Sequence, residues 1–244
     1  CYELPNLQPI REERLDSGGT SVSAAPEMDE SWAVSFGMPS KPPEVWRKDV
    51  EWTRDRLSPR KVLSVSVVAT VQEGWTIEDT ARDYARCGKW AVDSGADCVE
   101  LNLSCPNVAT SDGQLYQQPR DAGIVAECVR QAIGAVPLIL KVGHVRSEAA
   151  ASAFLDSTAN VVDALSMTNC IAATVGVDEE LMFEGALRGI AGKAILTASV
   201  RQSRLFVKLI NARNAQVKVI GVGGAGCWLD VQNYLEAGAQ SVQI

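Results

Sequence analysis

The chain has 244 residues, 46% of them hydrophobic and 22% charged, the balance of an ordinary globular protein. Its 30 acidic residues outnumber 23 basic ones, for a formal charge of -7. That sign argues against a nucleic-acid scaffold, because phosphate backbones require a basic footprint, but a small anion held by one or two local cations stays compatible with it. No run approaches the roughly 18 apolar residues of a membrane span, and no signal-peptide pattern opens the chain.

One domain is the default at this length. Composition nevertheless sets residues 1–60 apart from 61–244. The first segment holds Ser17-Gly18-Gly19 and Pro5, Pro9, Pro26, Pro39, Pro42, Pro43 and Pro59, which is loop chemistry, with a short helix expected around 44–56. From there strands and helices alternate. Apolar runs at 62–69, 98–103, 138–142, 162–167, 217–222 and 241–244 are short, rich in Val, Ile or Leu, and lack period-2 alternation. Strands buried on both faces read this way. Between them, Ile77, Ala81, Tyr84, Ala85 and Val92 recur at helical spacing before Gly95; Ile124, Cys128, Ala132 and Ile133 do so before Pro137; Val231, Leu235 and Ala237 do so before Gly238. Two stretches are near copies: Gly95-Ala96-Asp97-Cys98-Val99-Glu100-Leu101 and Gly238-Ala239-Gln240-Ser241-Val242-Gln243-Ile244. A helix stop running into a buried strand, twice over, is the mark of stacked βα units. The chain begins at Cys1 without an initiator Met and stops at Ile244 inside a strand pattern, which reads as a fragment of a longer protein.

This alternation implies a parallel sheet with helices outside it, either an open doubly wound sheet or a (β/α)8 barrel. Gly221-Val222-Gly223-Gly224-Ala225-Gly226 superficially resembles a dinucleotide fingerprint, but it comes late and has no acidic partner at the required distance. Polar residues favour the barrel. Asn102, Lys141, Asn169 and Gly223 each fall at the C-terminal end of a different strand, the active rim of such folds. The expected fold is therefore α/β, a TIM (β/α)8-type barrel, incomplete in this chain with about six of eight strands.

The seven cysteines are Cys1, Cys87, Cys98, Cys105, Cys128, Cys170 and Cys227. They contain no C-x-x-C pair, which disfavours structural zinc and fits free thiols in a reducing compartment, the cytoplasm. Only Cys105 has suggestive neighbours. In Glu100-Leu101-Asn102-Leu103-Ser104-Cys105-Pro106-Asn107 a strand runs into two amides, a hydroxyl and a thiol, with Pro106 fixing the turn. Asparagines offer both donor and acceptor to an imide-like ring, and a loop thiol can move a proton when its pKa suits. His144, the one histidine, reads as a polar loop residue, and Trp46, Trp52, Trp75 and Trp90 read as packing.

This string resembles the flavin-binding barrel of dihydroorotate dehydrogenases, of the soluble cysteine-using type, and of dihydropyrimidine dehydrogenase. Ser35-Phe36-Gly37-Met38-Pro39, Leu138-Ile139-Leu140-Lys141, Met167-Thr168-Asn169, Arg188-Gly189-Ile190-Ala191-Gly192 and Ile220-Gly221-Val222-Gly223-Gly224 fall in the family's order, the fourth as a glycine-rich loop before the seventh helix. The resemblance runs from about residue 31 to 244. It implies FMN over the barrel mouth and oxidation of a CH–CH bond of a dihydropyrimidine, most simply dihydroorotate to orotate in pyrimidine biosynthesis. Lys141 and Asn102 would hold the flavin ring, with Lys141 stabilising negative charge near N1 and C2. Gly192, Gly223 and Gly224 would admit the phosphate. Asn102, Asn107, Asn169, Phe36, Gly37 and Met38 would line the substrate, and Cys105 would take its proton. The expected partners are a small-molecule substrate and a second copy in a homodimer, with no nucleic acid, no membrane and no metal.

Three departures stand out. The family's first two strands, with a Lys near the second, would lie upstream of Cys1. The polar turn after its last strand would lie beyond Ile244. Val34 stands where the family usually carries the Asn of Asn-Ser-Met-Gly, which leaves a related dihydropyrimidine or cyclic amide open as substrate. A tRNA-dihydrouridine synthase fits the net charge and the Cys105 pattern less well. The rival from another class is a non-catalytic barrel remnant.

Overall fold

The computed structural model describes residues 21–23, 30–34, 40–104, 114–177 and 180–244. In chain order its elements are β1 (Ser21–Ser23), β2 (Ser31–Val34), α1 (Pro43–Arg56), β3 (Ser64–Val67), α2 (Ile77–Asp93), β4 (Cys98–Asn102), α3 (Pro119–Ile133), β5 (Leu138–Val142), α4 (Glu148–Thr158), β6 (Ala164–Met167), β7 (Ile171–Val177), β8 (Glu180–Leu181), β9 (Arg188–Gly192), α5 (Leu196–Ala212), β10 (Lys218–Val222), α6 (Trp228–Glu236) and β11 (Ser241–Gln243).

Six strands form one parallel sheet in the order β3-β4-β5-β6-β10-β11. Each new strand is added beside its predecessor and the order never reverses. A doubly wound sheet reverses at a switch point, so this sheet is not one. It curls instead. Gln243 Nε2 on β11 donates to Glu100 Oε2 on β4 at 3.1 Å, although three strands lie between them. In a flat sheet those strands would stand about 19 Å apart. Ser166 on β6 joins the contact, its hydroxyl donating to Gln243 Oε1 at 3.3 Å. Glu100 and Gln243 occupy equivalent places in the two near-copy stretches. The molecule is thus an arc of a TIM-type barrel, with its six strands inside the expected runs.

Side chains alternate across this arc. Leu101, Leu138, Leu140, Val142, Leu165 and Met167 are fully buried against the helices. Cys98, Ile139, Ala164 and Ile220 cluster on the other face, followed toward the strand ends by Glu100, Ser166 and Lys141. Helix α2 begins with a reciprocal cap, in which the Asp79 N–H donates to Thr76 Oγ1 and the Thr76 N–H to Asp79 Oδ2. It buries a face of small residues, Ala81, Ala85, Gly88 and Ala91, around Tyr84. Helices α2 and α6 each run out at a glycine with positive φ, Gly95 (+102°) and Gly238 (+95°), as the repeat implies.

At the strand starts a recurring contact sets the register. The Leu63 N–H donates to Asp97 Oδ2, the Leu138 N–H to Asp163 Oδ2 and the Val219 N–H to Gln240 Oε1, each at 2.7 Å. In each case the residue just before one strand holds the start of its neighbour.

One region differs from expectation. Arg188–Gly192 forms strand β9 rather than a loop, leading through a short 3-10 turn into α5. It lies between β7 and β2, antiparallel to both, in a second sheet that β1 also joins. Gly189 and Gly192 allow this close approach: a Cβ on Gly192 would stand 2.1 Å from the Glu30 carbonyl oxygen. This sheet packs Ala33, Ile171, Ala173, Val175 and Ile190 against Ala194, Ile195 and Ala198 at the start of α5. No described helix is long and apolar enough to cross a membrane.

Candidate functional site

The ends of β5, β10 and β11, with β2 and β9 alongside, enclose a cavity of about 530 Å3, within the usual range for small-molecule sites. Lys141, Gly192, Lys193, Gly223, Gly224, Gly226, Gln243, Trp32 and Glu30 line it. Lys141 is the penultimate residue of β5. Its register partners are Asn102 on β4 and Ser166 on β6, so alternation turns it to the concave face. Its side chain makes no ion pair or hydrogen bond among the described residues.

The turn after β10 supplies the opposite wall. Gly223 (φ +114°) and Gly224 (φ +73°) adopt left-handed backbone that a Cβ would strain. A Cβ on Gly224 would also meet the Gly192 carbonyl oxygen at 2.6 Å. The N–H groups of Gly223, Gly224 and Ala225 donate to no described residue. Three consecutive free donors beside two lysines form a nest suited to an anion. Gly226 N–H, by contrast, is already engaged. Asp230 Oδ2 accepts from Gly226 N–H (3.0 Å), Cys227 N–H (3.2 Å), the Cys227 thiol (3.3 Å) and Lys193 Nζ (3.0 Å). Burial alone would raise the Asp230 pKa; the Gly226 N–H, Lys193 and the Cys227 thiol outweigh it and hold the carboxyl below its ordinary value. Glu30 adds a carboxylate near Gly226, where a Cβ would stand 2.6 Å from its Oε2.

The helix layer fixes the rim. The Tyr84 hydroxyl of α2 donates to the Asn102 carbonyl at 2.8 Å. Tyr234 of α6 lies with its hydroxyl 2.9 and 2.7 Å from the Val222 and Gly223 carbonyls. Its ring fills the space over Gly221, where a Cβ would stand 2.3 Å away. Gln202 of α5 spans the loop after β5, accepting from Val145 N–H (2.7 Å) and donating to the Gly143 carbonyl (2.8 Å). The Tyr116 hydroxyl lies 2.7 Å from Gln114 Oε1 and 3.1 Å from the His144 carbonyl, and burial pushes its phenol up to about 12.

Of the expected site residues, Lys141, Gly192, Gly223 and Gly224 come together around this cavity. Asn102 stands beside Lys141 in register, but its Oδ1 accepts from Ser104 N–H (3.2 Å) and Oγ (3.0 Å), holding the turn after β4. Asn169, at the end of β6, directs its amide to Cys170 Sγ at 3.9 Å. Neither is part of the cavity wall. Phe36, Gly37, Met38, Cys105 and Asn107 lie outside the described residues. Lys193, Asp230, Gln243 and Trp32 had not been singled out from the sequence. Only Gln243 carried a signal there, its match to Glu100 in the repeat.

A phosphate-bearing flavin fits these residues: N–H donors on glycine backbone for the phosphate and an ammonium for an electron-rich ring edge, neither partnered among the described residues. Among the described residues no group of three or more His, Cys, Asp or Glu could hold a metal.

Comparison with known proteins agrees in direction. A family model described as dihydroorotate dehydrogenase matches residues 30–244. The chain is 28% identical over 239 residues to a dihydroorotate dehydrogenase of Dictyostelium discoideum, covering 93% of this chain and 63% of that one. It is 30% identical over 162 residues to the catalytic subunit of dihydroorotate dehydrogenase B (NAD(+)) of Maridesulfovibrio salexigens, covering 64% of this chain and 50% of that one. The chain therefore spans between half and two thirds of the length of these relatives. The crystal structure of DHODH from Eimeria tenella, in complex with ferulenol, shares the fold at a TM-score of 0.70 and 20% identity, over 100% of this chain and 66% of that one.

Proposed function

The chain belongs to the dihydroorotate dehydrogenase family, and from that premise we propose that it carries the FMN site of an oxidoreductase converting dihydroorotate to orotate in pyrimidine biosynthesis. The observation that carries the reading is the cavity in which Lys141 faces the N–H groups of Gly223, Gly224 and Ala225, all without a partner among the described residues. Gly192, Gly223 and Gly224 admit the phosphate; Lys193, oriented by Asp230, adds positive charge at that end. Lys141 places its ammonium where negative charge accumulates on the reduced ring, and Asn102 supports it from β4. Bound FMN supplies the hydride acceptor. Cys105 takes the proton from the substrate carbon next to the one that loses hydride, while Asn107, Asn169, Phe36, Gly37 and Met38 hold the ring.

In this reading residues 61–244 form the barrel, and residues 1–60 cover it, with β2 at the mouth. Among the described residues Cys87, Cys98, Cys128 and Cys227 form no disulfide, which supports a reducing compartment, the cytoplasm. A second reading concerns the substrate alone. Val34 Cγ2 and Cys170 Sγ both crowd Gly189, at 3.3 and 3.0 Å from a Cβ placed there. That is packing between neighbouring strands; what favours a related dihydropyrimidine is Val34 itself, which offers no amide where the family usually carries Asn.

The test is stopped-flow bleaching of the flavin by dihydroorotate, wild type against Cys105→Ser. The variant should bind flavin but reduce it roughly 10²–10⁴-fold more slowly, the usual worth of a general base. Its rate should respond to pH at higher values, because a hydroxyl is the poorer base. Purified protein without flavin absorbance would favour a non-catalytic remnant, and bound flavin that dihydroorotate never bleaches would favour the second substrate.

A further inference from the structure

We propose that Trp32 is a cofactor-positioning residue, its indole forming the apolar wall on which the flat ring system of the flavin rests. This rests on the flavin reading of the cavity given above. Four features of β2 carry it.

First, alternation along the strand buries Ser31 and Ala33 and leaves Trp32 42% exposed on the opposite side, as part of the cavity wall. Second, its cross-strand partner is Ala191 and the next pair is Val34 with Gly189. A methyl group and a hydrogen atom cannot cover an indole from the neighbouring strand. Third, the platform is fixed. The Lys193 N–H donates to the Glu30 carbonyl at 3.1 Å, the Ala194 N–H donates to Ser31 Oγ at 2.9 Å, and the β2–β9 ladder spans all four residues of β2. Fourth, the polar elements of the cavity are already assigned to the two ends of a flavin, Lys141 to the ring edge and the glycine nest to the phosphate. Among the described residues that line the cavity, Trp32 is the one aromatic surface offered to a planar heteroaromatic. Offset stacking of such rings adds to the burial of their apolar area.

The other tryptophans are placed differently. Trp46 packs against Trp90, with ring centroids 6.4 Å apart. Trp52 lies under the Arg56 guanidinium, Trp75 lines a separate depression beside α2, and Trp228 stands 71% exposed on α6. Contact quenching by a flavin in the cavity is therefore a signal of Trp32.

The experiment is titration of the full chain with FMN, read by tryptophan emission lifetimes and by equilibrium dialysis, for wild type, Trp32→Phe and Trp32→Ala. Wild type should show a quenched component that grows with FMN. Trp32→Phe should bind FMN within about threefold of wild type and lose that component. Trp32→Ala should bind about tenfold more weakly. Melting curves without FMN should match for all three, since the side chain is half exposed. FMN binding and quenching unchanged in both variants would overturn this inference alone. A wild type that binds no FMN would overturn it together with the flavin reading of the cavity.

Discussion

Replacing Asp230 with asparagine should destabilise the fold by about 1–2 kcal/mol at neutral pH and by much less in acid. The carboxylate is 5% exposed and accepts from four donors on two segments, the turn at Gly226–Cys227 and Lys193 after β9. An asparagine oxygen can still accept from the two backbone N–H groups, so the cap survives in weakened form. What is lost is the charge assistance, about 1 kcal/mol, and the Lys193 pair, which contributes up to about 1 kcal/mol because the lysine is a third exposed. For a chain of this length the sum corresponds to a fall in Tm of about 2–8 °C. The pH dependence has a definite sign. The folded-state pKa of Asp230 lies below its ordinary value, so the carboxylate contributes stability above the unfolded value and loses it as pH falls through the folded one. Urea unfolding of both proteins at pH 7 and at pH 3 is the measurement. Equal stability at pH 7 would mean that Asp230 does not tie the turn to Lys193. A gap just as wide at pH 3 would mean that the loss is steric and owes nothing to charge.

Lys141→Met should leave the stability from urea unfolding within about 0.5 kcal/mol of wild type, because the ammonium has no partner among the described residues to lose, while FMN affinity by dialysis falls. Tyr234→Phe should lower stability by about 1–2 kcal/mol, since it removes the buried donor facing the two carbonyls of the turn after β10; unfolding in urea checks it. The Cys87 thiol is pushed up to about 11 by burial and then by the Asp83 carboxylate. At pH 8 only about one such thiol in a thousand is ionised. Mass spectrometry after brief iodoacetamide treatment should find the exposed Cys227 modified well before Cys87.

The barrel arc was legible because its strands are buried on both faces and its helices stop at glycines. Residues 138–142 and 217–222 read as unbroken apolar runs, and the copies around Gly95 and Gly238 showed where a βα unit repeats. Lys141 stood out for the same reason, as a charge ending four buried residues. The wall opposite it was not legible. Trp32 sits on a four-residue strand in a stretch crowded with Pro and Gly, and its partner β9 lies more than 150 residues away in sequence. Pairing over that separation leaves no local period. Asp230 was hidden because a cap motif resembles any other polar first turn of a helix. Its tie to Lys193 exists only once β9 and α6 are brought together.

The contacts at the strand starts bear on how the opposite end of the barrel can change. Asp97, Asp163 and Gln240 each grip a backbone N–H of the adjacent strand, below the cluster of Cys98, Ile139, Ala164 and Ile220. They act as zero marks from which the side-chain phase is counted upward. If β5 slipped by a single residue against its neighbours, Leu140 would face the cavity and the Lys141 ammonium would be driven among the helices. Because the count starts at the closed end, chain added at the mouth does not disturb it. The excursion through β7, β8 and β9 separates β6 from α5, yet β10 still pairs with β6 in phase and delivers Gly223 to the cavity. A barrel indexed from below can therefore lengthen or exchange its upper loops while the last residue of every strand keeps its side.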